Sequence, residues 1–263
     1  LNWIKEHAER LEELQLVGHL TNRSVAEIVG VLVWNCRVTI TPLSQIGRTL
    51  RLLSNIGKHL AKKNTSWDDP SCLSGTDLQH LLEDYDLFLK EADSGKLYKS
   101  RARSEPRKKR VYLCCDSSKW KAVALDISDP DNVKELCFID WKEEDQVGQN
   151  INWKEQTITC LAVETYLNQV PEAEREDVEV IMSQDNTTSV AATSTFYYPR
   201  DAELCGRLFQ LYEKLGKTGL VCFYTKSADQ AADERTRNKE TCPKKCKALR
   251  KALEDEYNHK ATT

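Results

Sequence analysis

The chain lacks any apolar run approaching the ~18–20 residues that cross a bilayer, so no membrane-spanning helix is expected. It also lacks a dominant charge of one sign. With 38 basic against 41 acidic residues the net charge is -3, which excludes a uniformly basic nucleic-acid binder and requires any polyanion site to be local. A zinc pattern is missing too: Cys242-Pro243-Lys244-Lys245-Cys246 is the single tight non-adjacent cysteine pair, and His259 stands alone beyond it. The opening Leu1-Asn2-Trp3-Ile4-Lys5-Glu6 has neither an initiator methionine nor the form of a signal peptide, and reads as the start of an excised fragment.

What is present is a chain of 263 residues, 40% hydrophobic and 30% charged, the composition of one large globular domain or two modest ones. Its ten cysteines lie inside apolar runs such as Leu113-Cys114-Cys115 and Leu220-Val221-Cys222-Phe223. That setting suits reduced thiols in an intracellular protein, cytoplasmic or nuclear, better than a disulfide framework.

Three regimes of patterning follow one another. Residues 1–98 read as a small all-helical segment: Ser24-Val25-Ala26-Glu27 is a capping box before Val25, Ile28, Val29, Leu32, Val33 and Cys36 at helical spacing, ending near Thr41-Pro42. Ile46, Leu50 and Leu53 mark a second helix. Thr76-Asp77-Leu78-Gln79 opens a third, with Leu78, Leu81, Leu82, Tyr85 and Leu89 on one face. Residues 99–110 form a basic linker in which Lys99, Arg101, Arg103, Arg107, Lys108, Lys109 and Arg110 stand against Glu105 alone, a local charge of +6. Such a stretch either contacts phosphates or is a solvated connector.

From residue 111 the periodicity changes. Val111–Cys115, Ala122–Ile127, Leu136–Trp141, Val178–Met182 and Leu220–Tyr224 are short runs rich in Val, Ile, Cys and aromatics, the strand signature. Helices are expected over Asn152–Asn168 and Asp201–Leu215. Three strands in a meander, then alternating helix and strand, predict an α/β domain over 111–240: a mixed five-stranded sheet flanked by helices. Residues 241–263 read as a helical extension with no assigned role.

Four acidic residues fall at element ends in this order. Asp116 ends the first strand, Glu155 lies in the first turn of the first long helix, Asp185 ends the fourth strand and Asp233 opens the last helix of the domain. Carboxylates gathered at such places can hold two divalent cations about 4 Å apart, since hard cations prefer oxygen ligands. Each also has an ordinary reading: Asp116 and Asp185 as turn residues, Glu155 as the partner of a cap at Asn152, Asp233 as one acid on a charged helix. Residues 155, 158 and 162 share a face, however, which aims Glu155 at the sheet.

These residues carry a family resemblance. Cys115-Asp116-Ser117-Ser118 resembles the first-strand Asp-Ala-Ser motif of retroelement ribonuclease H domains, and Ile151-Asn152-Trp153-Lys154-Glu155 resembles their Ile-Asn-x-x-Glu helix start. Ser183-Gln184-Asp185-Asn186-Thr187-Thr188 is similar to their Asp-Asn strand end, and Ala232-Asp233-Glu234-Arg235-Thr236-Arg237 to their closing Ala-Asp-x-x-Ser-Arg. The likeness spans Val111 to Arg237. Upstream, Ser24 to Trp34 resembles a helix that follows the polymerase thumb in reverse transcriptases of DIRS-like or long-terminal-repeat elements, although the polymerase Tyr-x-Asp-Asp centre is absent.

The resemblance implies a ribonuclease H-like fold that cuts the RNA strand of RNA–DNA hybrids, leaving 5′-phosphate and 3′-hydroxyl ends. Asp116, Glu155, Asp185 and Asp233 would hold two Mg2+ ions, with Mn2+ able to substitute, and Glu155 would lie near the RNA 2′-hydroxyls. Ser118, Lys119, Asn186, Lys226 and Arg237 are expected phosphate or sugar contacts, joined by Arg107, Lys108, Lys109 and Arg110 of the linker. The polymerase portion of the same polyprotein would be the partner, and no membrane is implicated. Three departures stand out: Tyr224 to Asp229 holds no histidine, the closing pair is Thr236-Arg237, and Trp120-Lys121-Ala122 replaces the usual glycines after the first motif. A noncatalytic ribonuclease H-like binding module is the alternative, and a related nuclease such as an exonuclease or integrase is a third. An exonuclease of this class would show Asp-x-Glu, where Ser118 stands here.

Overall fold

A computed structural model describes residues 20–39, 43–63, 65–93, 107, 109–143, 149–198 and 201–262. The chain divides into two compact units between Arg103 and Ser104, within the expected linker. Linker residues Lys99, Arg101, Arg103 and Lys108 lie outside the described residues.

The N-terminal unit is helical: α1 (Asn22–Thr39), a 3-10 turn (Leu43–Ile46), α2 (Gly47–Lys63) and α3 (Gly75–Asp93). Val25, Val29, Leu32 and Cys36 recur every three to four residues along α1. They meet Ile46, Leu52 and Ile56 and, from α3, Leu81 and Tyr85 in one apolar cluster. Two helix starts differ from expectation. Thr21, not Ser24, caps α1, its hydroxyl accepting the Ser24 N–H at 3.1 Å. Ser74, not Thr76, caps α3: its Oγ accepts the Asp77 N–H at 3.1 Å, and its own N–H donates to Asp77 Oδ2 at 3.1 Å. Both expectations put the cap two or three residues late: in α3 Asp77 completes the box in place of Glu or Gln, and in α1 the Ser24 hydroxyl meets that of Thr21 at 2.9 Å.

The C-terminal unit is a five-stranded sheet in the order β3-β2-β1-β4-β5. Its strands are β1 (Lys109–Ser117), β2 (Lys121–Asp126), β3 (Lys134–Asp140), β4 (Val178–Gln184) and β5 (Gly219–Tyr224). β1–β2 and β2–β3 pair antiparallel, β1–β4 and β4–β5 parallel. This is the mixed, ribonuclease H-like sheet that the sequence predicts.

The central strands are buried on both faces and therefore read as near-continuous apolar runs. Val111, Leu113 and Cys115 face one side. There they pack under α4 (Ile151–Asn168), α5 (Thr187–Thr195) and α6 (Ala202–Leu215), through residues such as Ile158, Ala192, Leu204 and Leu208. Tyr112 and Cys114 face the other side, which is covered by α7 (Ala232–Thr236) and α8 (Pro243–Thr262) through Ala232, Cys246, Leu249 and Leu253. The C-terminal helix is thus no appendage: α8 closes the second face of the sheet, and without it Tyr112, Cys114, Ile181 and Phe223 would meet water. All ten cysteines are free thiols.

Candidate metal centre

Parallel pairing of β1 with β4, in register Cys114↔Ser183, brings the two strand ends to one edge of the sheet. Asp116 is the last residue but one of β1, and Asp185 follows β4 directly. Glu155 comes from α4. That helix starts at Ile151 with Asn150 as its cap, the Asn150 side chain accepting the Trp153 N–H at 3.0 Å. Glu155 therefore sits one turn in, rather than in the first turn, on the buried side with Ile158 and Ala162. Oxygens of Asp116, Glu155 and Asp185 all lie within 4.8 Å of one another.

Asp233, in α7, lines the same 470 Å³ cleft, together with Ser117, Ser118, Ile151, Asn186, Thr187, Ser227, Thr236 and Arg237. Its carboxylate accepts from Arg237 Nε at 2.9 Å. Three of the four expected acids thus form the close group, and the fourth stands beside it with its own counter-charge.

Concentrating carboxylates in a partly dry site disfavours their ionisation. Burial pushes Glu155 up to about 9, helped by the negative Asp116 and Asp185 and opposed by the Ser117 N–H, which donates to Glu155 Oε1 at 3.1 Å. Burial likewise raises Asp116 to about 6; the Thr236 hydroxyl, donating to Asp116 Oδ2 at 2.7 Å, opposes this, while Asp185 and Asp233 add to it. Glu155 Oε2 is buried with no hydrogen-bond partner. An orphaned buried carboxylate oxygen, in an all-oxygen donor set short of positive charge, fits a divalent cation. The group can hold a metal ion.

Under the carboxylates lies a hydrogen-bonded knot. Gln184 Nε2 donates to Thr159 Oγ1 and lies 3.7 Å from Cys115 Sγ, and the Cys222 thiol donates to Gln184 Oε1 at 3.6 Å. Thr159 Oγ1 in turn donates to the Glu155 carbonyl at 2.8 Å. The knot thus holds the residues that precede two of the acids, Cys115 before Asp116 and Gln184 before Asp185, and the backbone carbonyl of the third, Glu155. A glutamine and a threonine fully buried in an apolar layer persist because they satisfy one another. Thr236 and Gln184 escaped the site reading of the sequence. A polar residue amid the strand run Val178–Met182-Ser183-Gln184 was the available signal for Gln184.

The other expected contacts fall in three places. Ser118, Asn186 and Arg237 line the cleft. Asn186 caps α5, accepting from the Thr188 and Ser189 N–H groups, and its Nδ2 donates to Asn152 Oδ1 at 2.7 Å. Lys119 stands at the β1–β2 turn and exposed Lys226 caps the short 3-10 turn Ser227–Asp229 after β5. Arg107, Lys109 and Arg110 are at the far end of β1 from the cleft. Arg107 pairs with Glu179 at 2.9 Å, both largely buried, and Gly219 opposite leaves room for that carboxylate, since a Cβ there would lie 2.3 Å from Glu179 Oε1. Arg110 donates to Asn258 Oδ1 at 2.9 Å and stacks over Tyr257. These two arginines fasten β1 to β4 and to α8. Lys108 lies outside the described residues.

Among the described residues, no helix is long and apolar enough to cross a membrane. Comparison of the chain with protein-family models and with curated proteins finds no match.

Proposed function

We propose that the chain is a metal-dependent endonuclease that cleaves the RNA strand of RNA–DNA hybrids, as the ribonuclease H part of a retroelement reverse transcriptase. The observation that carries this reading is the trio Asp116, Glu155 and Asp185, with oxygens within 4.8 Å of one another where two strand ends of a ribonuclease H-like sheet meet α4. Asp116, Glu155, Asp185 and Asp233 would hold two Mg2+ ions, Mn2+ serving as a substitute. Such ions, when bound, supply a nucleophilic water at neutral pH and neutralise charge at the leaving oxygen.

The chain's own groups orient this chemistry. Thr236 fixes the Asp116 carboxylate and the Ser117 N–H fixes that of Glu155. Arg237, well exposed at the cleft rim, offers positive charge to a backbone phosphate while holding Asp233. An open, polar cleft suits a sugar-phosphate backbone, so cutting would be largely independent of sequence. On the same reading the N-terminal helical unit is the tail of the polymerase, the polymerase portion is the partner and the protein works inside the cell.

The test is cleavage of a labelled hybrid with Mg2+, beside Asp185→Asn and beside duplex DNA and duplex RNA. Hybrid-only cutting that the substitution reduces by about a thousandfold or more supports the reading. A noncatalytic hybrid-binding module is the second reading, favoured by the Arg237 guanidinium that already engages the fourth carboxylate. Binding without cutting in either Mg2+ or Mn2+ would decide for it.

A further inference from the structure

The tip of the β1–β2 hairpin carries a half-exposed indole. Trp120 is 48% exposed. The backbone beneath it is held from several directions. The Ser118 N–H donates to the Lys121 carbonyl at 2.7 Å, closing the turn. Ser118 Oγ accepts the N–H groups of Trp120 and Lys121 at 3.2 and 3.0 Å. The Trp141 N–H donates to the Trp120 carbonyl at 2.8 Å, and the Lys154 ammonium to the Lys119 carbonyl at 2.7 Å.

Hydrogen bonds thus fix the backbone of the tip while about half of Trp120 stays exposed, which is how a pre-organised contact is built. The ammonium of Lys119 lies 4.5 Å from the ring centroid, so an apolar plate and a cation are presented together. Ser117 and Ser118, which lead into the tip, line the carboxylate cleft. A ring beside a cation matches the sugar and phosphate that recur at every nucleotide.

We propose that the Lys119-Trp120 tip is a nucleic-acid contact at the mouth of the cleft, the indole packing on a sugar of the bound hybrid and Lys119 meeting the adjoining phosphate. This rests on the nuclease reading and adds to it the element that grips the duplex beside the cut.

The test is fluorescence anisotropy of a labelled RNA–DNA hybrid, titrated at several salt concentrations with protein carrying Asp185→Asn so that the hybrid is not consumed. Adding Trp120→Ala weakens binding about tenfold, whereas Trp120→Phe, which keeps a ring, weakens it less than about threefold. Lys119→Ala lowers the slope of log affinity against log salt by about one. Unaltered melting temperatures show that the fold is intact. Parent-like affinity in Trp120→Ala together with a parent-like salt slope in Lys119→Ala overturns the contact and leaves the nuclease standing if the wild type cuts hybrid. A wild-type chain that neither binds nor cuts hybrid overturns both.

Discussion

Glu155→Gln separates the cost of the carboxylate cluster from its use. In the metal-free protein the Glu155 carboxyl rises from 4.5 to about 9, chiefly through burial and then through Asp116 and Asp185. A rise of that size is worth about 6 kcal/mol between the two protonation states. The folded state holds this proton where the unfolded chain has released it. The stabilising contribution is therefore complete below pH 4.5 and is lost as pH climbs toward 9.

Between pH 6 and pH 8 the loss is about 1.4 kcal/mol per pH unit, close to 3 kcal/mol in all. At roughly 2–4 °C per kcal/mol for a unit of this size, the melting temperature in EDTA falls by about 6–12 °C over that interval. Asp116, raised to about 6, adds most of its share below that pH. Gln has the shape of Glu and no proton to lose, so the variant melts with a slope flatter by that amount and is the more stable protein at pH 8. Saturating Mg2+ restores the wild type and does little for the variant, since binding to the native state stabilises it by mass action. Thermal melts at pH 6, 7 and 8, with and without the metal, measure all of this. Parallel pH slopes for wild type and variant would refute the claim that Glu155 is buried and protonated when no metal is present.

Two further substitutions probe how the carboxylates are held. Gln184→Leu removes the centre of the knot joining Cys115, Thr159 and Cys222. It should weaken Mn2+ binding by calorimetry about 10- to 100-fold, the usual effect of disturbing groups that orient metal ligands, while Asp116, Glu155 and Asp185 all remain. Unchanged affinity would mean that the knot serves packing alone. Thr236→Val deletes the hydroxyl that keeps Asp116 from rising further, so on the proposed nuclease reading the acid limb of the pH–rate profile for hybrid cleavage moves to higher pH and Thr236→Ser moves it back. A profile that stays in place in Thr236→Val would show that the hydroxyl does not tune Asp116.

Much of the architecture was legible because strand and helix periods differ. The runs at Val111–Cys115 and Val178–Met182 announced buried strands, and the three- and four-residue spacing of Ile158 and Ala162 after Glu155 placed that acid on the inner side of its helix. Local chemistry also located Asp116 and Asp185 at strand ends. Helix starts were less legible, since Thr21 and Ser24, or Ser74 and Thr76, are equally able caps until the backbone chooses one.

What tertiary structure alone decided were matters of partnership. Arg107 and Arg110 share composition with the rest of the basic stretch, yet the pairing of β1 with β4 delivers Arg107 to Glu179, and the packing of α8 delivers Arg110 to Tyr257 and Asn258. The role of 241–263 as the cover of a sheet face depended on that same docking. Distances among Asp116, Glu155 and Asp185, and the unpartnered oxygen on Glu155, arise from strand register and helix approach. Residues tens of positions apart leave no periodic trace of their meeting, because local spacing encodes which face a side chain takes, and only folding encodes what stands opposite.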